Sequence, residues 1–472
     1  MEGNKTMKLK ISDLWRWDGT INRSAFVLWG VLLFVVKCGL DCFLSAVIFH
    51  ESWSVFDYLG AGVLSGHGLP SSVTRVQLAT LLAVSLPFLW AGVGLTLRRL
   101  RSAGLPLWLV VLFVLPAVKV LFFGVLCLMP PRSQDVPGQS GNKEEGKSWD
   151  AFIPKSELGS ALMAVAMTVG LSSFLVWLGT ELLSDYGVVL FVGLPFAMGF
   201  CSVLIYGSRE PRGLFRCLMV GASTIAAAWM VLLLLPIEGL LCLVMVAPLA
   251  LGMSLVGAAA AYAIQAGYRH NRQSPKLFCA VVGLVPVLMG AEHWQPPAAP
   301  LLEVKSSVEI NAPPEVVWRH VISFPRLASP SEWLFHTGIA YPIQAEIRGR
   351  GRGAVRYCEF STGAFVEPIE VWDEPRLLRF SVTANPPPMQ EWSPYQGISP
   401  PHLHGFLVAK QGQFELVPVS GGRTRLEGTT WYYHRVWPVT YWRVWSDYII
   451  HHIHLLVLQH VKQLAENDNA GR

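Results

Sequence analysis

The chain has 472 residues, of which 52% are hydrophobic and only 15% charged, well to the apolar side of an ordinary soluble domain. Its net charge of +5 is uneven: from Pro300 to Arg472, 16 basic side chains meet 16 acidic ones, so the excess lies in the apolar part, where basic residues flank membrane segments. That pattern excludes a nucleic-acid footprint, and eight cysteines without a CxxC pair, with Cys358 alone in the last part, indicate neither a disulfide frame nor a zinc centre.

Charges and Trp15-Arg16-Trp17 precede the first apolar run without a small-residue cleavage site, which reads as a retained anchor rather than a cleaved leader. Crossing a bilayer takes roughly 20 apolar residues. Eight stretches qualify, at about 25–49, 76–97, 105–129, 158–183, 187–206, 214–235, 237–265 and 276–291, the last being the shortest. These set out a membrane domain at 1–131 with three apolar stretches, a polar linker at 132–157, and a second bundle of five spans at 158–295.

Gly19-Thr20-Ile21-Asn22-Arg23-Ser24-Ala25-Phe26 leads into the first span, and Arg98-Arg99-Leu100, Gly104 and Trp108 join the second to the third. These residues resemble domain-of-unknown-function family 805, a small bacterial inner-membrane family, over about residues 13–131. Arg101 and Ser102 stand where that family usually has His and Asp, so no role resting on that pair carries over. The resemblance implies a membrane location and no chemistry.

Three charges fall inside apolar stretches. Lys37 and Asp41 are one helical turn apart and can pair on one face. Lys119 lies three residues after Pro116. Pairing or snorkelling accounts for such charges, with an ion or headgroup path as the alternative. The basic clusters before the first span, at Arg98–Arg101, at Arg209–Arg216 and at Arg269–Lys276 all fall on the cytoplasmic side only if 105–129 fails to cross, breaking at Pro116. The C-terminal domain is then expected outside the cytoplasm; if all eight stretches cross, it lies inside.

From Leu302 the texture is strand-like, with Val304, Ser306, Val308 and Ile310 alternating against Glu303, Lys305, Ser307 and Glu309. Asn311-Ala312-Pro313-Pro314-Glu315 opens a helix. Strands follow near 341–348, 353–361, 364–373, 376–384, 404–418 and 423–434, and a helix from about Val439 to Glu466 closes the chain. This is the order of the helix-grip fold, an antiparallel sheet wrapped on a long C-terminal helix. Val308-Glu309-Ile310-Asn311-Ala312-Pro313-Pro314-Glu315-Val316-Val317-Trp318 resembles the opening of the SRPBCC superfamily, which includes START and polyketide-cyclase-like proteins. Over 300–468 that resemblance implies an apolar cavity between sheet and helix.

Alternation places Leu426, Gly428, Thr430 and Tyr432 inward on the last strand, and Phe406, Val408, Phe414 and Leu416 on its neighbour, with Lys410 interrupting and Gly412 as a candidate bulge. Leu378, Phe380 and Val382 form another apolar face, as do Phe365, Ile369 and Val371. On the closing helix Trp442, Trp445, Ile449, Ile453 and Leu456 follow helical spacing. The expected cavity wall is therefore Phe365, Phe380, Phe406, Gly428, Tyr432, Trp442, Trp445 and Ile449, against the alternative that these form plain core. The proline-stiffened insertion with Met389, Trp392 and Tyr395 reads as a lid or as a surface loop.

His451 and His454 are three apart, with Asp447 one turn earlier, but no second ligand cluster accompanies them, so no metal is expected. No GxSxG, GxxxxGK[ST], HExxH or GxGxxG occurs, so neither a catalytic residue nor a cofactor is assigned. The expected function is a membrane-tethered domain that senses, holds or transfers an apolar molecule, with membrane lipids and a hydrophobic small molecule as partners. The alternatives are a cyclase- or hydrolase-like enzyme using Lys410, Glu370 or a histidine, and a transporter or assembly factor. Oligomeric state is not legible.

Overall fold

Away from water, every backbone N–H and C=O must be paired within the chain, and a helix does this locally. The computed structural model describes residues 14–49, 72–114, 118–129, 153–154, 156–183, 185–235, 237–267, 274–394, 398 and 400–470. The chain divides into two compact units. The first takes the described residues up to Leu232 together with Val246–Pro297; the second takes Leu233–Met245 together with Ala298 onward.

The first unit is helical: α1 (Arg23–Leu44), α2 (Ser72–Ala103), α3 (Val118–Leu128), α4 (Glu157–Trp177), α5 (Leu194–Tyr206), α6 (Leu214–Leu234), α7 (Leu240–Gly267) and α8 (Ser274–Trp294), the first turns of α7 counting with the second unit. Asn22 caps α1 by accepting from Ala25 N–H at 2.8 Å, and Ser156 caps α4 through Gly159 N–H at 3.2 Å. Among the described residues seven helical stretches are long and apolar enough to cross a membrane: Arg23–Ile48, Ala79–Ala103, Glu157–Thr180, Val189–Tyr206, Leu214–Leu234, Leu240–Gly267 and Lys276–Trp294. The chain is a multi-pass membrane protein.

Within the stretch 105–129 the described residues form a 3-10 segment, Leu107–Phe113, and the 11-residue α3. At 1.5 Å per residue α3 by itself is about 16 Å long, against about 30 Å of hydrocarbon. Pro116 and most of the expected linker at 132–157 lie outside the described residues. Buried Arg99 donates to the carbonyls of Leu126, at 3.1 Å, and Met129, satisfying the end of α3 where carbonyls have no helical partner. Lys37 and Asp41 pair across one turn of α1, and Lys119 is half-buried on α3.

Helix α5 is buried along its whole length. A Cβ on Gly199 would sit 1.9 Å from the Ser254 carbonyl oxygen, and one on Gly257 would sit 2.1 Å from that of Phe196. Glycine at both places lets α5 and α7 bring their backbones together, the usual basis of helix association in lipid.

The second unit is α+β. Its elements are β1 (Leu302–Ile310), α9 (Pro314–Ile322), β2 (Pro342–Arg348), β3 (Val355–Phe360), β4 (Gly363–Asp373), β5 (Leu377–Ser381), β6 (Leu407–Val419), β7 (Arg423–His434) and α10 (Val439–Ala470). The seven strands pair antiparallel in the order β1-β7-β6-β5-β4-β3-β2, so the first strand returns beside the last and only β1 and β2 are edges. Gly421 and Gly422, at φ of 83° and 71°, make the tight β6–β7 turn. Toward its C-terminal end α10 lays Val457, Leu458, Val461 and Ala465 against Trp318, Leu378, Leu416 and Leu426, a filled core. This is the helix-grip architecture.

Candidate functional site

Alternation along the strands sends every second side chain toward α10, and beyond the filled core those side chains leave a gap. The gap is a cavity of about 160 Å³. Phe360, Phe365, Phe380 and Phe414 wall it from the sheet; Ile449, Ile453 and Val457 wall it from α10; Pro386, Pro387 and Pro388 close one side. Gly428 leaves space on the sheet: a Cβ there would meet Leu458 and Phe414 only at 3.6 and 3.7 Å, ordinary contact. Gly412 is different, because a Cβ would sit 2.6 Å from the Phe380 ring.

Polar groups converge on this apolar space. Arg356 on β3 and Glu367 on β4 are directly paired across the sheet, and their side chains form a buried ion pair in the wall. The guanidinium lies 5.5 Å from the Phe324 and Phe414 ring centroids and 5.7 Å from that of Phe380, a cation against ring faces. Burial raises the Glu367 carboxyl pKa above its usual range, although Arg356 pulls it back, and burial pushes the neighbouring Cys358 thiol up to about 12. A thiol held protonated in this way is a poor nucleophile.

His454 reaches the cavity from α10. One ring nitrogen is 3.1 Å from Ser306 Oγ, and the other is 2.8 Å from Thr430 Oγ1; His451 Nδ1 shares Ser306 at 2.7 Å. Burial pushes His454 down to about 4, so it is neutral near pH 7. Tyr432 donates to Asp447 at 2.6 Å and lies 2.7 Å from Ser446 Oγ; burial raises its phenol above the usual range. The site is thus a mainly apolar pocket with a few fixed polar groups, the general form of a small-molecule site.

Comparisons with known proteins bear on the two ends of the chain. Residues 14–137 match the model of a family described as protein of unknown function (DUF805). Among solved structures, a norcoclaurine synthase point mutant from Thalictrum flavum, in complex with a transition-state analogue, is 14% identical; the match covers 37% of this chain and 99% of that one, at a TM-score of 0.25. The Zhui aromatase/cyclase from Streptomyces sp. R1128 is 14% identical over 35% of this chain and 94% of its own, at a TM-score of 0.24. No curated protein matches the chain in sequence. The helix-grip architecture of the C-terminal unit rests on its strand order and closing helix.

Of the eight residues expected to wall the cavity, Phe365, Phe380, Gly428, Tyr432 and Ile449 line it, whereas Phe406, Trp442 and Trp445 do not. The β6–β7 register slips between Ala409 and Gln411, so the bulge is at Lys410, not Gly412. It reverses the facing of β6: Leu407 and Ala409 line the cavity before it, Gly412 and Phe414 after it, and Phe406 and Val408 are left out. Trp442 and Trp445 instead pack with Met245, Met389 and Leu403 in a separate cluster.

The expected lid is tied down. Met389 is buried and bridges to Ile339, and Gln390 N–H donates to Gly338 O at 2.8 Å. Trp392 is 71% exposed, and Tyr395 lies outside the described residues. Lys410 and Glu370 do not line the cavity; Lys410 lies 5.3 Å from the Tyr433 ring, and Glu370 accepts from Gln411 at 2.7 Å. The alternation did carry a signal for the missed ion pair, since Glu367 sits in the phase of Phe365 and Ile369, a charge where an apolar residue is due. Among the described residues, the group with metal-compatible spacing is Glu238, Cys242 and His402, away from His451 and His454.

Proposed function

We propose that the C-terminal domain receives an apolar or aromatic molecule with one polar end, in the cavity between the sheet and α10, and that the spans keep it at a membrane. The observation that carries this reading is the combination of four phenylalanines with one buried ion pair around an open volume. At about 160 Å³ the space matches a dry 150 Å³ cavity known to take benzene, and falls short of the 300–1,000 Å³ of drug-sized sites. A single ring or a short alkyl segment fits; a sterol requires the walls to move. The Arg356–Glu367 pair and the Tyr432 hydroxyl would meet the polar end.

The same reading places the domain outside the cytoplasm of a bacterial inner membrane. Seven crossings from a basic, cytoplasmic N-terminus end outside, and they put Arg209, Arg212, Arg216 and Lys276 inside. Residues 181–188 and 235–239 carry no Lys or Arg, as outside turns require.

The test is mass spectrometry of organic extracts from the purified full-length protein, compared with Gly428→Leu. The expected result is a small apolar compound at near-equal molar amount in the wild type, lost in the variant while the unfolding midpoint changes little. Overpacking a filled core costs about 1–3 kcal/mol. A Gly428→Leu protein destabilised by that much, with no compound in the wild type, would show the space to be imperfectly packed core.

A further inference from the structure

We propose that Glu238, Cys242 and His402 bind a divalent transition ion of the zinc type, with Glu391 as the fourth donor. The first three each offer one donor atom within 4.8 Å of the others. Cys242 Sγ is 2.9 Å from His402 Nε2, Glu238 Oε2 is 3.6 Å from His402 Nδ1, and Glu391 Oε1 is 4.0 Å from His402 Nε2. All four residues belong to the same compact unit.

Each donor is held by its own local structure. Cys242 stands in the first turn of α7, and Glu238 in the bend just before it. His402 sits in the 3-10 turn Pro401–Leu403, anchored by buried Leu403. Glu391 follows the bridge of Met389 to Ile339, and its Oε2 accepts from Leu241 N–H at 3.2 Å.

The second observation is the other oxygen of that carboxylate. The Glu391 side chain is 0% exposed, and its Oε1 has no hydrogen-bond partner. Glu238 is buried as well. A carboxylate withdrawn from water with one oxygen unpartnered calls for a positive charge close by.

The donor types choose the ion. A thiolate, an imidazole and carboxylates together are the mixed set that zinc accepts, whereas calcium and magnesium take oxygen alone. Tetrahedral zinc separates sulfur and nitrogen ligands by roughly 3.5 Å, so the contact between Cys242 and His402 opens slightly on binding. The proton that they share leaves with the ion's arrival. With no metal, the same groups are a hydrogen-bonded network and nothing more, and the experiment separates the two.

Full-length protein in detergent, stripped with a chelator, is titrated with Co²⁺ alone and with Zn²⁺ alone. The expected result is one ion per chain and a thiolate-to-cobalt charge-transfer band that Zn²⁺ bleaches. Cys242→Ser should lose the band, and His402→Gln and Glu391→Gln should weaken Zn²⁺ by at least ~10-fold. Zn²⁺ should raise the unfolding temperature of the wild type and not that of Cys242→Ser. A wild-type titration without a charge-transfer band overturns the proposal whether or not the variants fold. A band that survives in Cys242→Ser overturns it equally.

Discussion

Arg356 and Glu367 are buried charges whose cost is offset chiefly by each other and by the surrounding rings. Removing one partner strands the other. Glu367→Leu or Arg356→Met should therefore each destabilise the C-terminal domain by about 3–5 kcal/mol, while the double variant recovers most of the loss. Chemical denaturation of the single and double variants checks this; an additive double variant would mean that the pair does not act as a unit. The same double variant should lose any ligand whose polar end the pair meets. At this scale the sequence was partly readable, since a charge in the apolar phase of β4 announces a buried partner. Which arginine answers it was not readable, because β3–β4 register is fixed by the whole hairpin and not by either residue.

Strand β7 carries the buried His434 and helix α10 the half-buried His454, both pushed down to about 4 by desolvation. Their folded pKa lies below the unfolded value of about 6.5, so the folded state binds fewer protons in between. The stability that they contribute is fully present above about pH 6.5 and is lost as pH falls toward 4. Thermal unfolding should accordingly shift down between pH 7 and pH 5, and His454→Gln, which keeps a polar link to Ser306 and Thr430, should flatten part of that slope. An unchanged slope would place the acid sensitivity elsewhere. The facing of the long strand was legible only in part: alternation read Phe414 and Leu416 correctly, but the single added residue at Lys410 inverts everything before it. A glycine was the natural guess for a bulge, and Gly412 is needed for another reason, the Phe380 ring against it.

For the whole molecule, the order of elements was legible because both periodicities are strong: apolar runs of bilayer length, then two-residue alternation closed by one long helix. Composition does not show that within 105–129 the described residues fall into a 3-10 segment and an 11-residue helix. The Glu238, Cys242 and His402 group was invisible for a different reason: two ligands stand at the start of a span and the third 160 residues beyond Cys242, and only folding joins them. The orientation proposed above predicts that a reporter fused after Arg472 behaves as extracytoplasmic and that reporters near Arg101 and Ser208 behave as cytoplasmic. A cytoplasmic signal after Arg472 together with an extracytoplasmic one near Ser208 would mean that 105–129 crosses as well.

The two glycines of the cavity wall differ in what they permit. At Gly412 a side chain collides with Phe380, so that position is closed to change. At Gly428 the space ahead is open, and alanine or valine can be reached by a single base substitution. The volume of the pocket therefore turns in part on one codon, and a side chain there makes it smaller without rebuilding the domain.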